Sequence, residues 1–214
     1  MLETTQGWDA YNVTEDADLS FRIAAHGGKI GYIRTGTDEE AVGNMRDWHF
    51  QRARWIKGYL QSWGVHMRAP LLPGGRMGLA RFFTLQITLG LTLLAIGFYA
   101  PSVIILGLYL GVCAISGTAI NIPLIYVASF GFSIAVGIAI SALGVFRAGK
   151  PYLIKSALYV PAYWLLLFWP GLRAIWELRR MPFHWHKTPH GVSAPDDDDP
   201  QTFEYEPLTH EPAE

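Results

Sequence analysis

The spacing of apolar residues changes character along this chain, and each change marks a different kind of element. Thr14 can cap a helix, Glu15 and Asp16 fill a first turn where acids suit the helix dipole, and Leu19, Phe21, Ile23 and Ala24 carry the helix to a stop at Gly27-Gly28. Residues 29–33 predict a short strand, and residues 34–44 a loop holding Asp38, Glu39 and Glu40. Helical spacing returns over residues 47–63. There Trp48, Trp55, Tyr59 and, more loosely, Trp63 share one face, with Arg46, Arg52, Arg54 and Lys57 supplying positive charge around them. Rings mixed with basic heads suit a helix lying in a membrane interface. The same groups also suit a sugar ring and a phosphate, one stacked and the other paired to a guanidinium. Residues 70–78 end this helix with two prolines and three glycines.

From Phe82 through Phe146 there is no Asp, Glu, Lys, Arg or His, a run that favours a membrane class. Four apolar segments are expected. Residues 82–100 and 101–117 would form a hairpin turning at Pro101, residues 122–146 are long enough to span with tilt, and residues 152–172 carry Pro161 and Pro170, which membrane helices tolerate. Four spans put both ends of the bundle on one side, and Arg81, Arg173, Arg179 and Arg180 argue that this side is cytoplasmic. Arg147, Lys150 and Lys155 then fall on the far side, against the same rule. Either the fourth segment is partly interfacial or one span is miscounted.

Charge changes the picture again. The formal net charge is −1, yet all eight acids after His190 lie in a tail without Lys or Arg. The remainder holds 17 basic against 10 acidic residues, a balance of +7 that suits anionic headgroups or a phosphorylated substrate. Nothing points to nucleic acid. The Pro- and acid-rich tail has no apolar periodicity and is expected to be disordered. Cys113 is the only cysteine, so an intrachain disulfide and a Cys-ligated metal site are both excluded. Residues 1–18 are polar and acidic and do not resemble a signal peptide.

Two motifs carry candidate chemistry. Asn12-Val13-Thr14-Glu15-Asp16-Ala17-Asp18-Leu19, followed by Gln51-Arg52-Ala53-Arg54-Trp55 directly before an apolar bundle, resembles the C-terminal half of a processive-type family 2 glycosyltransferase, of which cellulose and hyaluronan synthases are familiar members. Taken alone, each motif has a plainer reading, as helix capping and as an amphipathic surface helix. The resemblance implies that Asp16 is the general base of an inverting transfer. It implies that Trp55 packs on the acceptor sugar, and that Gln51 and Arg54 lie near the nucleotide pyrophosphate. The segment Trp185-His186-Lys187-Thr188-Pro189-His190 also resembles a stretch that follows the last spans in that family. By that resemblance Lys187, Thr188 and His190 touch the diphosphate from a gating segment, the alternative being a headgroup anchor. His184, His186 and His190 are zinc ligands by type, a use the resemblance does not favour.

The chemistry makes these residue types sensible. A sugar hydroxyl becomes a nucleophile when a carboxylate takes its proton, and a departing nucleoside diphosphate needs cations. An indole holds a sugar ring without fixing its polar pattern. The resemblance implies an α/β fragment, the C-terminal part of a GT-A-type domain, followed by an interfacial helix and an α-helical bundle of about four spans. The expected parts are a catalytic remnant over residues 1–44, the interfacial helix over 45–69, the transmembrane region over 79–178, the gating segment over 181–191 and the tail over 192–214. The nucleotide-binding half is expected elsewhere, on a separate chain or in sequence absent here, together with the ligands of a divalent Mg or Mn ion. This chain alone would then be inactive. The expected partners are the lipid bilayer, a nucleotide-sugar donor (a UDP-sugar by resemblance) and a glycan or glycolipid acceptor. The expected location is the inner membrane, multi-pass, with the catalytic side cytoplasmic. The competing expectation is a non-enzymatic membrane anchor or partner subunit that retains the motif residues.

Overall fold

The computed structural model describes residues 5, 7–9, 12–31, 33, 41–68 and 78–184. These residues are mostly helical, and among them there is no strand. The chain order is α1 (Glu15–Ala25), α2 (Met45–His66), α3 (Leu79–Leu85), a π-helical turn over Gln86–Gly90, α4 (Leu91–Ser116), α5 (Leu124–Arg147), a 3₁₀ stretch over Pro151–Tyr159, α6 (Val160–Leu166) and α7 (Phe168–Arg180).

Helix α1 occupies the stretch its pattern predicts, with Glu15, Asp16 and Asp18 in its first turn. Its start is made differently from the expectation. Thr14 takes the N-cap position, but its hydroxyl makes no capping bond and is buried with no hydrogen-bond partner among the described residues. A strand was expected over 29–33, but none is present among the described residues of that stretch. Lys29, Ile30, Gly31 and Ile33 are exposed and irregular, because a strand needs a neighbour to take its backbone groups and the described residues offer none. Helix α2 starts at Asn44, whose side chain accepts a hydrogen bond from the Asp47 amide at 2.9 Å.

The apolar part departs from the expectation at Pro101. Leu79–Ser116 is one continuous helical run of 38 residues, and Pro101 sits inside it. Proline removes one amide donor but does not by itself reverse a chain, and the helix around it is continuous. Pro101 leaves the Gly97 carbonyl without its amide donor, and next to it Ser102 Oγ donates to the Phe98 carbonyl at 2.7 Å. The reversal comes instead at Gly117, whose φ of +66° suits glycine, and leads to Pro123. Tyr109 closes the turn by accepting from the Asn121 amide at 2.9 Å. Among the described residues three helices are long and apolar enough to cross a membrane, Leu79–Ser116, Leu124–Arg147 and Pro151–Arg180, where four apolar segments were expected. At 1.5 Å per residue, the 24 residues of α5 reach about 36 Å, enough to cross a hydrocarbon core of about 30 Å. No residue of α5 is buried, although its composition is that of a core. Such a surface calls for an apolar environment around it, lipid or another protein face.

The protein core lies where three helices meet. Ile56 of α2, Ile96 of α4 and Ala174 of α7 are buried together, with Leu60, Leu93 and Leu167 around them. Gly171 allows the approach, since a Cβ there would lie 2.9 Å from Ile96 Cγ2. Helix α7 runs in the same direction as α2: Tyr163, just before it, meets Trp48, Arg173 meets Phe50, Glu177 meets Lys57, and Pro182 after it meets Gln61. The last apolar element thus ends beside the helix that precedes the first.

Lys57 marks that junction and corrects another expectation. The sequence grouped it with the cations around the aromatic face of this helix, but the side chain is fully buried. Its Nζ donates to the Met181 and His184 carbonyls, both at 2.8 Å, and lies 3.9 Å from Glu177 Oε2. Glu177 is held in turn by Arg173 Nε at 2.7 Å. Burial pulls the Lys57 amine below its ordinary value, against the opposing pull of Glu177.

Candidate functional site

A cleft of about 400 Å³ opens between the start of α1 and the middle of α2, lined by Val13, Thr14, Glu15, Asp16, Ala17, Arg54, Trp55 and Tyr59. It brings together three of the residues the sequence singles out, Asp16, Arg54 and Trp55. Gln51 stands one turn earlier on α2 and is not part of this lining. Lys187, Thr188 and His190 lie outside the described residues, as do the rest of the 185–191 segment and the tail.

The cleft exists because the turn before α1 is fastened along one face of α2. Asn12 Nδ2 donates to Ser62 Oγ at 3.0 Å, and Asn12 Oδ1 accepts from the Thr14 amide at 3.1 Å. The Thr14 side chain then rests directly on Gly58, where a Cβ would come within 2.7 Å of Thr14 Cβ. Further along, buried Asp18 accepts from Arg22 Nε at 2.7 Å and meets His66 Nε2 at 3.1 Å. Phe21 packs against the same imidazole at 5.4 Å. Asp16 is left at the mouth of the helix, with Oδ1 accepting from the Ala17 amide at 2.8 Å.

Arginines arrange the other wall. The Arg52 guanidinium lies 4.2 Å over the Trp55 ring and 6.0 Å from that of Tyr163, with no hydrogen-bond partner for Nε among the described residues. Arg54 is drawn below its ordinary value by burial, opposed by the charge of Glu15, and remains a cation at any working pH. A carboxylate, a guanidinium and an indole therefore face one space. That set can accept a proton, pair with an oxyanion and stack on a ring.

The divalent cation implied by the resemblance does not find a ligand set here. Among the described residues no three His, Cys, Asp or Glu side chains converge, and the two carboxylates of the cleft share it with Arg54.

Asp18 gives the junction a pH dependence. Burial alone would raise its carboxyl, but the hydrogen bonds from His66 and Arg22 outweigh it and hold it below its ordinary value. A lowered carboxylate contributes stability above its unfolded value of about 3.9, and that contribution is lost as pH falls through the folded value. Melting profiles between pH 6 and pH 3 are expected to show α1 detaching on acidification. Asp18→Asn is expected to be less stable at pH 6 and to lose that acid-dependent step, which hydrogen exchange over α1 reads directly.

Sequence reasoning did not single out Gly58, Gln61 or Ser62. One signal was present: a glycine inside a helix costs about 1 kcal/mol relative to alanine and marks a close approach.

Comparison with known proteins agrees with the motif reading at the level of family. The family model of Glycosyl transferase family group 2 matches residues 1–176. A beta-monoglucosyldiacylglycerol synthase from Synechocystis sp. is 31% identical over 91 residues, covering 40% of this chain and 19% of that enzyme. The chain thus matches about a fifth of that relative's length. No solved structure matches it.

Proposed function

We propose that this chain, which belongs to glycosyl transferase family group 2, carries the acceptor-activating and membrane-embedded part of an inverting sugar transfer. The observation that supports this reading most is the convergence of Asp16, Arg54 and Trp55, from two separate helices, on one cleft. Asp16 takes the proton of an acceptor hydroxyl as its oxygen attacks the anomeric carbon of the donor sugar. The bond from that carbon to the nucleoside diphosphate breaks, and the diphosphate leaves toward Arg54. Trp55 stacks on the acceptor. Gln51, Lys187, Thr188 and His190 are proposed to complete the diphosphate contacts.

The donor is a nucleotide-activated sugar, and the contacts to its nucleoside, like the ligands of a Mg or Mn ion, belong to a nucleotide-binding half outside the described residues. The acceptor is a glycan or a lipid, and the similarity to a beta-monoglucosyldiacylglycerol synthase favours the lipid. The three apolar helices support membrane association, and we place the cleft on the cytoplasmic side of the inner membrane.

The test is transfer from a radiolabelled nucleotide sugar in membranes where the chain is supplied with a nucleotide-binding half of the same family. Asp16→Asn keeps the size of the side chain but cannot take the proton. It is expected to reduce turnover by about 10²-fold or more with donor binding intact, while Glu15→Gln retains most activity. Near-normal turnover of Asp16→Asn would leave the chain as a membrane anchor bearing the motif without its chemistry.

A further inference from the structure

Gln61 reaches two parts of the chain that are far apart in sequence. Its Oε1 accepts from the Val13 amide at 3.4 Å, and its Nε2 donates to the Pro182 carbonyl at 3.0 Å. One partner lies three residues before Asp16, and the other lies in the backbone that leaves α7. A primary amide serves both at once, because it carries an acceptor and a donor on separate atoms. The same requirement fixes the orientation of the amide, since the flipped form would set a donor against an amide and an acceptor against a carbonyl.

The surroundings make this link stiff. One turn earlier on α2, Lys57 holds the Met181 and His184 carbonyls, so Pro182 is pinned on both sides. On the other side, Thr14 presses on Gly58 and Asn12 is tied to Ser62, so Val13 is pinned as well. Both anchored segments meet α2 between residues 57 and 62, and Gln61 bonds to both.

We propose that Gln61 is a positioning residue, tying the Asp16 turn to the segment that leaves the last apolar element so that the two move as one unit on α2. The functional part of this inference rests on the role given above to Asp16. The mechanical part does not. In this arrangement a displacement at Met181–His184 shifts Asp16 relative to Trp55 without any direct contact between the segment and the cleft.

Three variants separate the two bonds in the purified full chain in lipid nanodiscs, read by hydrogen exchange. Gln61→Glu keeps an acceptor for Val13 and loses the donor for Pro182. Gln61→Lys keeps a donor for Pro182 and loses the acceptor. Gln61→Leu loses both. Each is expected to raise exchange over both residues 13–18 and residues 181–184, by about fivefold, the equivalent of one lost hydrogen bond. Protection in α4 and α5 is expected to stay unchanged, which shows that the fold persists. In the transfer assay with the nucleotide-binding half, all three are expected to lower kcat with little change in the donor KM. Gln61→Glu loosening only 181–184, together with Gln61→Lys loosening only 13–18, would show two independent bonds and overturn the proposal. Unchanged exchange over 13–18 in Gln61→Leu would do the same. Coupled exchange with unaltered turnover in Asp16→Asn would instead count against the role of Asp16 and leave the tie standing.

Discussion

Gly58→Ala is expected to pull α1 away from α2 and to abolish transfer while leaving the apolar helices in the membrane. The added methyl would come within 2.7 Å of Thr14 Cβ, an atom fixed to the backbone, so no rotation of the threonine relieves the clash. The turn holding Asn12, Val13 and Thr14 has to lift, and the Asn12 to Ser62 and Val13 to Gln61 bonds stretch with it. Overpacking of this kind costs about 1–3 kcal/mol, more than alanine returns through its better helix propensity of about 1 kcal/mol. A combined Gly58→Ala, Thr14→Ser change removes the threonine methyl and is expected to recover part of the loss. Hydrogen exchange over α1 and turnover measured on the same preparations check both effects. Gly58→Ala with full activity would mean that the contact between the helices is slack.

The second large effect is expected at Lys57. Replacement by methionine keeps most of the side-chain volume but strips the Met181 and His184 carbonyls of their donor and leaves Glu177 with Arg173 as its ion-pair partner. Losing one member of a buried, hydrogen-bonded charge set costs about 3–5 kcal/mol, set mainly by the groups left behind. Lys57→Met is therefore expected to release Met181–His184 and to lower the melting temperature of the detergent-solubilised protein. Lys57→Arg tests geometry: a planar fork has five donors but cannot reach two carbonyls from the same point as an ammonium, so it is expected to restore only part of the stability. A Lys57→Met protein that melts like the parent would show that the cluster contributes nothing net.

Much of the architecture is legible in the sequence where a residue acts through its neighbours in the chain. The α1 stretch, the α2 stretch and the onset of the apolar region follow from spacing, Gly27-Gly28 and the run without charge. The miscounted span and the absent strand have separate physical causes. Proline signals a missing donor, not a reversal, and a helix in lipid keeps its remaining bonds because no water competes for them. An extended stretch such as 29–33 becomes a strand only when another strand is beside it. The cleft was half legible. Asp16, Arg54 and Trp55 come from motifs, but what holds them together is a missing side chain at Gly58 and an amide at Gln61, whose meaning depends on a partner 48 residues away. Lys57 was misread because periodicity treats every lysine as solvent-seeking, whereas this one is matched by carbonyls 124 and 127 residues further on.

The guanidinium of Arg52 has a consequence for stereochemistry. An indole has two equivalent sides in isolation, but in Trp55 one of them is already occupied at 4.2 Å. Only the opposite side can receive another ring, so a guest arrives from a single direction. The cation behind also draws electron density from the indole, which weakens its hold on the C–H groups of a sugar relative to a bare tryptophan. On the acceptor role proposed above, Trp55 is a one-sided shelf whose free face alone can take the sugar ring.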